Sequence, residues 1–226
     1  MSAALAGQLR AGADAMGLVL HEEQIARLLD FMVLLQKWNK VYNLTAVRGS
    51  GGMLTHHLLD SLAAVAPLQR HLAQQGGAGL RLLDVGSGGG LPGVVFAICC
   101  PGLDVSCVDA VAKKAAFIQQ AAATLKLQNL HGVHARVESL PGPFDVVSCR
   151  AFAALADFTA WSRQALAPQS VWLAMKGRHP QGEIDALPAS VQVFHVEQLA
   201  VPGLDAERCI VWMRPAAQGG QGGMVA

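Results

Sequence analysis

Along residues 25–38 the apolar side chains of Ile25, Leu28, Leu29, Met32, Leu35 and Trp38 recur every three or four positions, with polar residues between them. That spacing puts one apolar stripe on a long amphipathic helix. A break is expected over 43–52, where Gly49, Gly51 and Gly52 cluster. The helical pattern resumes over 54–68 and should end near Pro67. The stretch 74–79, QQGGAG, joins this helical portion to the rest of the chain.

From residue 80 the texture changes, and short apolar runs alternate with helical segments. This is the pattern of a mostly parallel sheet with helices on both faces, a Rossmann-like α/β arrangement. Strands are expected over 80–85, 104–108, 130–135, 144–149, 171–175, 191–196 and 208–213, and helices over 93–100, 112–127 and 155–166. No helix-length spacer separates the last two strands, so an antiparallel hairpin should close the sheet edge. The organisation expected is a helical extension over 1–79 packed on a sheet domain over 80–215. A tail over 216–226, ending QGGQGGMVA, is expected to be disordered.

Composition narrows the classes. With 226 residues, 52% of them hydrophobic, the chain can bury a sizeable core. No apolar run approaches a membrane span, and Arg10, Asp14, Glu22 and Glu23 occupy the place of a signal sequence, so a soluble cytoplasmic protein is expected with no membrane partner. The five cysteines lie in or beside apolar runs with no C-x-x-C pair, which reads as buried free thiols. His56 and His57 are sequence neighbours that a helix would aim apart, so no metal is expected. A net charge of +1 does not advertise a nucleic-acid partner, although Arg10, Arg27, Lys37, Lys40 and Arg48 could form a local cluster.

Candidate chemistry centres on 82–93, LLDVGSGGGLPG. Asp84 closes the first strand, glycines including Gly86 and Gly88 turn the chain, and Leu91 and Pro92 open a helix whose free N–H groups can face an anion. A formal G-x-G-x-x-G match at Gly88, Gly90 and Gly93 admits a dinucleotide. Two features favour a methyl donor instead. The match starts four residues after Asp84, and an acid before the loop suits the ammonium group of an amino-acid-bearing cofactor better than a pyrophosphate. Asp109 ends the second strand, where a carboxylate can accept ribose hydroxyls in either class, or serve only as a helix cap. Val137 and Glu138 follow the third strand. Arg150, in SCRAF at the fourth strand's end, is the candidate catalytic side chain.

SCRAF is unlike the loops that manage an exocyclic amine proton. Cys149 lacks the preceding proline of a pyrimidine-carbon nucleophile and reads as a structural thiol. A purine ring nitrogen needs neither device, so no general base is expected. Lys176 and Arg150 are donors suited to a phosphate or to an acceptor on a base edge.

Taken with KWNKVYNLTAV over 37–47, HHLLDSL over 56–62, RVE over 136–138 and MKG over 175–177, these motifs make the chain similar, nearly end to end, to the bacterial RsmG family, also called glucose-inhibited division protein B. The resemblance implies transfer of a methyl group from S-adenosyl-L-methionine to N7 of a guanine in the 530-loop region of 16S ribosomal RNA. The implied partner is the 30S subunit or its assembly intermediate, and a different RNA position, a small molecule or a protein is the alternative acceptor. It also implies cofactor contacts at Gly86, Leu91, Val137, Glu138 and Arg150, with Asp109 as ribose partner. The family more commonly has proline at Gly89 and lacks cysteine at Cys149. Asn39 and His57, polar residues inside the apolar N-terminal motif, are candidates for positioning a loop over the site or touching RNA.

Overall fold

Seven apolar runs after residue 80 pair into one sheet in the computed structural model, which describes residues 3–45, 47, 49–77 and 79–217. They are β1 (Arg81–Val85), β2 (Asp104–Asp109), β3 (Leu130–His134), β4 (Phe144–Arg150), β5 (Leu166–Lys176), β6 (Val191–Leu199) and β7 (Arg208–Pro215). The spatial order is β3-β2-β1-β4-β5-β7-β6. The first five strands run parallel. β2 and β3 lie to one side of β1 and β4 and β5 to the other, so the order reverses between β1 and β4. Ligands of open α/β sheets bind outside the strand carboxyl ends at such a point.

The expected final hairpin forms, but β7 folds back between β5 and β6, leaving β6 at the edge. Side-chain chemistry explains the order. β7 carries a continuous buried run, Cys209–Met213, suited to a strand covered on both faces, whereas β6 is mixed and half exposed.

The helices are α1 (Ala3–Ala15), α2 (Glu22–Tyr42), α3 (Ser50–Met53), α4 (Asp60–Leu62), α5 (Val65–Gln74), α6 (Gly93–Cys99), α7 (Ala112–Leu125), α8 (Leu155–Trp161) and α9 (Gln181–Asp185), with a π-helical segment, Leu54–Leu59, between α3 and α4. The stripe expected on α2 is buried except for half-buried Trp38. At its end Asn43 turns left-handed and its N–H bonds to the Asn39 carbonyl. Three expectations about the helices are corrected. Helical structure resumes at Ser50, inside the expected break, and Pro67 does not end a helix. Pro67 is the third residue of α5, where its missing N–H has no intrahelical partner to lose, and the helix runs on to Gln74. α8 also stops short of its expected end, because a 3₁₀ turn, Arg163–Ala165, leads directly into β5. Arg48 and the 218–226 tail lie outside the described residues.

Successive strand residues alternate between two cores. Leu82, Val105 and Val146 face one; Leu83, Val108 and Val147 face the other. The N-terminal helices complete the first core. Phe31 and Trp38 of α2 meet Phe117 of α7 with ring centroids 6.3 and 5.4 Å apart. Among the described residues no helix is long and apolar enough to cross a membrane.

Phe31 is fully buried in this contact. Phe31→Ala should therefore cost about 3–5 kcal/mol, measured by urea denaturation. A loss under about 1 kcal/mol would mean that α2 is not an integral layer of the core.

Candidate active site

The chain leaves β1 through residues 86–92 and enters α6 at Gly93, and the side chain that shapes this turn is Asp84. Its carboxylate is fully buried; Oδ2 accepts the Gly93 N–H at 3.1 Å and Oδ1 accepts the Ser148 hydroxyl at 2.9 Å. Asp84 therefore lines neither cleft of the site, and the ammonium-facing role expected for it does not match its orientation. The first N–H of α6, expected to face an anion, is spent on the same carboxylate. A Cβ on Gly93 would come within 2.3 Å of the Cys107 sulfur and 3.0 Å of Asp84 Oδ2, so only glycine lets helix and strand approach this closely. Burial pushes Asp84 up to about 7, against the opposing hydrogen bonds from Ser148 and Gly93.

Two clefts open at the carboxyl ends of the strands and share Gly86, Lys114 and Ala151. Gly86 has φ +64°, and a Cβ there would lie 2.2 Å from the Phe152 ring. The first cleft, about 610 Å³, collects Gly88, Leu91, His57, Arg150 and Lys176 from the expected set. The second, about 460 Å³, collects Asp109, Val137 and Glu138. Val137 is buried and Glu138 exposed in a 3₁₀ turn, Val137–Ser139. Asp109 carries its structural role alongside, accepting the N–H groups of Gly88 at 3.1 Å and Val111 at 2.9 Å.

Across the first cleft, Asp60 binds two arginines. Oδ2 meets Arg150 and Oδ1 meets Arg208, each at 2.7 Å. Arg150 also donates to the His56 carbonyl at 3.1 Å. His56 and His57, expected to point apart, both border this cleft. The His57 Nδ1–H donates to the His56 carbonyl at 3.0 Å, which leaves Nε2 to accept the Thr45 hydroxyl at 2.7 Å. Burial lowers the His57 pKa, consistent with this neutral tautomer. Asn39 lies one layer behind. Its Oδ1 accepts the Thr45 N–H at 2.8 Å and its Nδ2 donates to the Val47 carbonyl at 3.4 Å, so it shapes a loop whose Leu44, Thr45 and Val47 wall the cleft. Lys176 spends two of its three N–H donors, on Glu183 at 2.7 Å and the Ala153 carbonyl at 3.0 Å, and its charge is compensated by Glu183.

Several site residues escaped the sequence reading. Lys114 resembled any helix-surface lysine, and Arg208 lies 148 positions from the acid it pairs with, so no local pattern flags it. Phe152 and Trp161, with ring centroids 5.9 Å apart, wall the second cleft as ordinary-looking hydrophobes. All five cysteines are free and buried. Burial pushes the Cys149 thiol far up, away from thiolate chemistry. Among the described residues no group of three or more His, Cys, Asp or Glu side chains could hold a metal ion.

The raised Asp84 pKa has a signed consequence. Its protonated form is favoured in the fold, a contribution present below the ordinary carboxylate value of 3.8 and lost as pH rises to about 7. In Asp84→Asn an amide oxygen can still accept from Gly93. Urea denaturation should show the stability of this variant, relative to the parent, improving from about pH 4 to about pH 7.5. A difference constant across that range would refute the buried, hard-to-ionise carboxylate.

The sequence profile of the GidB family, described as rRNA small subunit methyltransferase G, matches residues 24–211. The chain is 78% identical over 214 residues to the Ribosomal RNA small subunit methyltransferase G of Acidovorax ebreus (strain TPSY), covering 92% of this chain and 95% of that one. It is 72% identical over 220 residues to the protein so named from Paracidovorax citrulli (strain AAC00-1), covering 94% and 90%. Among solved structures, magnesium protoporphyrin IX methyltransferase from Synechocystis PCC 6803 superposes with a TM-score of 0.57 at 13% identity over 82% of this chain and 97% of that one. Ribosomal protein L11 methylase from Lactobacillus delbrueckii subsp. bulgaricus superposes with a TM-score of 0.53 at 15% identity over 69% and 78%. These distant likenesses concern the fold alone; with a family profile spanning most of its length and close relatives end to end, the chain belongs to the GidB family of rRNA small subunit methyltransferases G.

Proposed function

We propose that this protein transfers a methyl group from S-adenosyl-L-methionine to N7 of a guanine in 16S ribosomal RNA, acting in the cytoplasm on the 30S subunit or its assembly intermediate. The observation that carries the reading is the pair of clefts meeting at Gly86 where the strand order reverses. A ligand with a nucleoside at one end and an amino acid at the other needs such a two-part groove, with backbone bare of side chains at its middle.

The residues present fit that cofactor. Asp109, Val137 and Glu138, with the aromatic wall of Phe152 and Trp161, would hold the nucleoside end. Gly86, Gly88, Leu91 and Arg150 would hold the amino-acid end. When bound, the cofactor supplies an electrophilic methyl on a sulfonium, and the chain's task is to align and desolvate the acceptor. Guanine N7 carries a free lone pair and no proton, so no side chain has to remove one before attack. The acceptor base would enter the same first cleft, beside the cofactor's amino-acid end, and the carboxylates around this acceptor cleft suit the reading, since Asp60 is bound by two arginines and Glu183 by Lys176. Arg150, fixed by Asp60 and the His56 carbonyl, would present its remaining N–H groups to the cofactor carboxylate or to guanine O6. His57 and Asn39 would act through the wall they support, over Thr45 and Val47. We read 1–79 as an extension supplying that wall and 80–215 as the methyltransferase domain.

Incubation of the protein and labelled methyl donor with small subunits lacking the modification should label one guanine N7 in 16S RNA. Label on any other atom would overturn the reading. Calorimetry should show binding of S-adenosylhomocysteine and none of NAD. Arg150→Ala should reduce transfer at least about 100-fold, the scale for losing a charged donor at the reacting centre, read in the same labelling assay. Near-normal transfer would remove Arg150 from the site.

A further inference from the structure

We propose, resting on the RNA-methyltransferase reading above, that the loop after β5, residues 177–180, grips the RNA backbone through Arg178 and so positions the substrate for the cleft beside it. The loop sequence is GRHP. It borders a shallow basin of about 790 Å³ that shares Lys176 and Gly177 with the acceptor cleft. A strand whose base enters that cleft therefore has a continuous path for its phosphates over the loop.

Charge distribution identifies the ligand class. Glu183 is the one acid lining the basin among the described residues, and its Oε2 is already committed to Lys176 at 2.7 Å and to the Leu155 N–H at 2.8 Å. That clamp binds β5, the start of α8 and α9 together, so the loop between them is held at both ends. Beyond the clamp, Arg178 and His179 are exposed, and among the described residues neither makes a side-chain hydrogen bond or ion pair. An arginine left without a counter-ion on a braced loop presents a fork of donors suited to phosphate.

The cations that line the acceptor cleft itself are compensated, unlike Arg178, and Lys114 pairs with Asp109 at 3.5 Å. Lys176 is compensated by Glu183, and Arg150 and Arg208 share Asp60. Arg10 pairs with Glu22 at 2.5 Å and Arg27 with Glu23 at 2.7 Å. Lys37 and Lys40 are exposed but line neither cleft of the site. A net charge of +1 thus hides a local cationic lip beside the acceptor cleft.

The test is a salt titration of binding to undermethylated small subunits, with methyl-transfer kinetics, for the parent, Arg178→Ala and Arg178→Lys. One lost phosphate contact should flatten the plot of log affinity against log salt by about 0.7–0.9. For Arg178→Ala we expect that change, a several-fold rise in KM for the subunit, and unchanged kcat and S-adenosylhomocysteine affinity. Arg178→Lys should recover most of the slope. An alanine variant with the parent's slope and KM would overturn the proposal, as would a fall in kcat at unchanged slope. Failure of the methyltransferase reading looks different, because the parent protein itself would neither bind nor methylate the subunits.

Discussion

The buried carboxylate of Asp84 is the constraint on which the site depends. It sits at the end of β1 and accepts one hydrogen bond from the first residue of α6 and one from Ser148 on β4. Three elements that diverge at the switch point are thereby held to one geometry, and the glycine loop between β1 and α6 has its two ends set. Placing this acid out of water carries a desolvation cost, visible in its raised pKa. The two hydrogen bonds offset part of that cost, and the missing Cβ of Gly93 leaves the room they need.

Above that anchor the walls of the first cleft form a largely compensated polar network. Asp60 joins the segment after the π-helical turn to β4 and β7 through two arginines, and Glu183 joins β5 to the start of α8. Each acid serves two elements, so the cleft's shape is braced by groups that also set its field. Arginines already held by a carboxylate lose little rotamer freedom on meeting a ligand, and their unspent N–H groups stay available. The N-terminal helices enter this scheme in two ways. Their apolar stripe completes one core of the sheet, and their polar residues Asn39 and His57 hold Thr45 and Val47 in the wall of the cleft.

What the chain by itself determined was the local and periodic part. The 3.6-residue stripe of α2 and the short apolar runs of most strands are short-range patterns, legible because burial demands a repeating side-chain period, and the glycine loop is legible because a positive φ such as that of Gly86 calls for glycine. The motifs outside the loop carried the resemblance to an RNA-modifying family, which the near-neutral charge alone would not suggest. Only the tertiary structure decided the relations between distant positions: β7 slotted inside β6, Asp84 turned inward instead of toward a ligand, Lys176 neutralised by Glu183, and Arg208 drawn to an acid 148 residues away. The physical reason is that hydrophobic periodicity records which face of an element is buried. The partner of a polar group is set by which elements the packed sheet brings together, and that information resides in no single stretch of sequence.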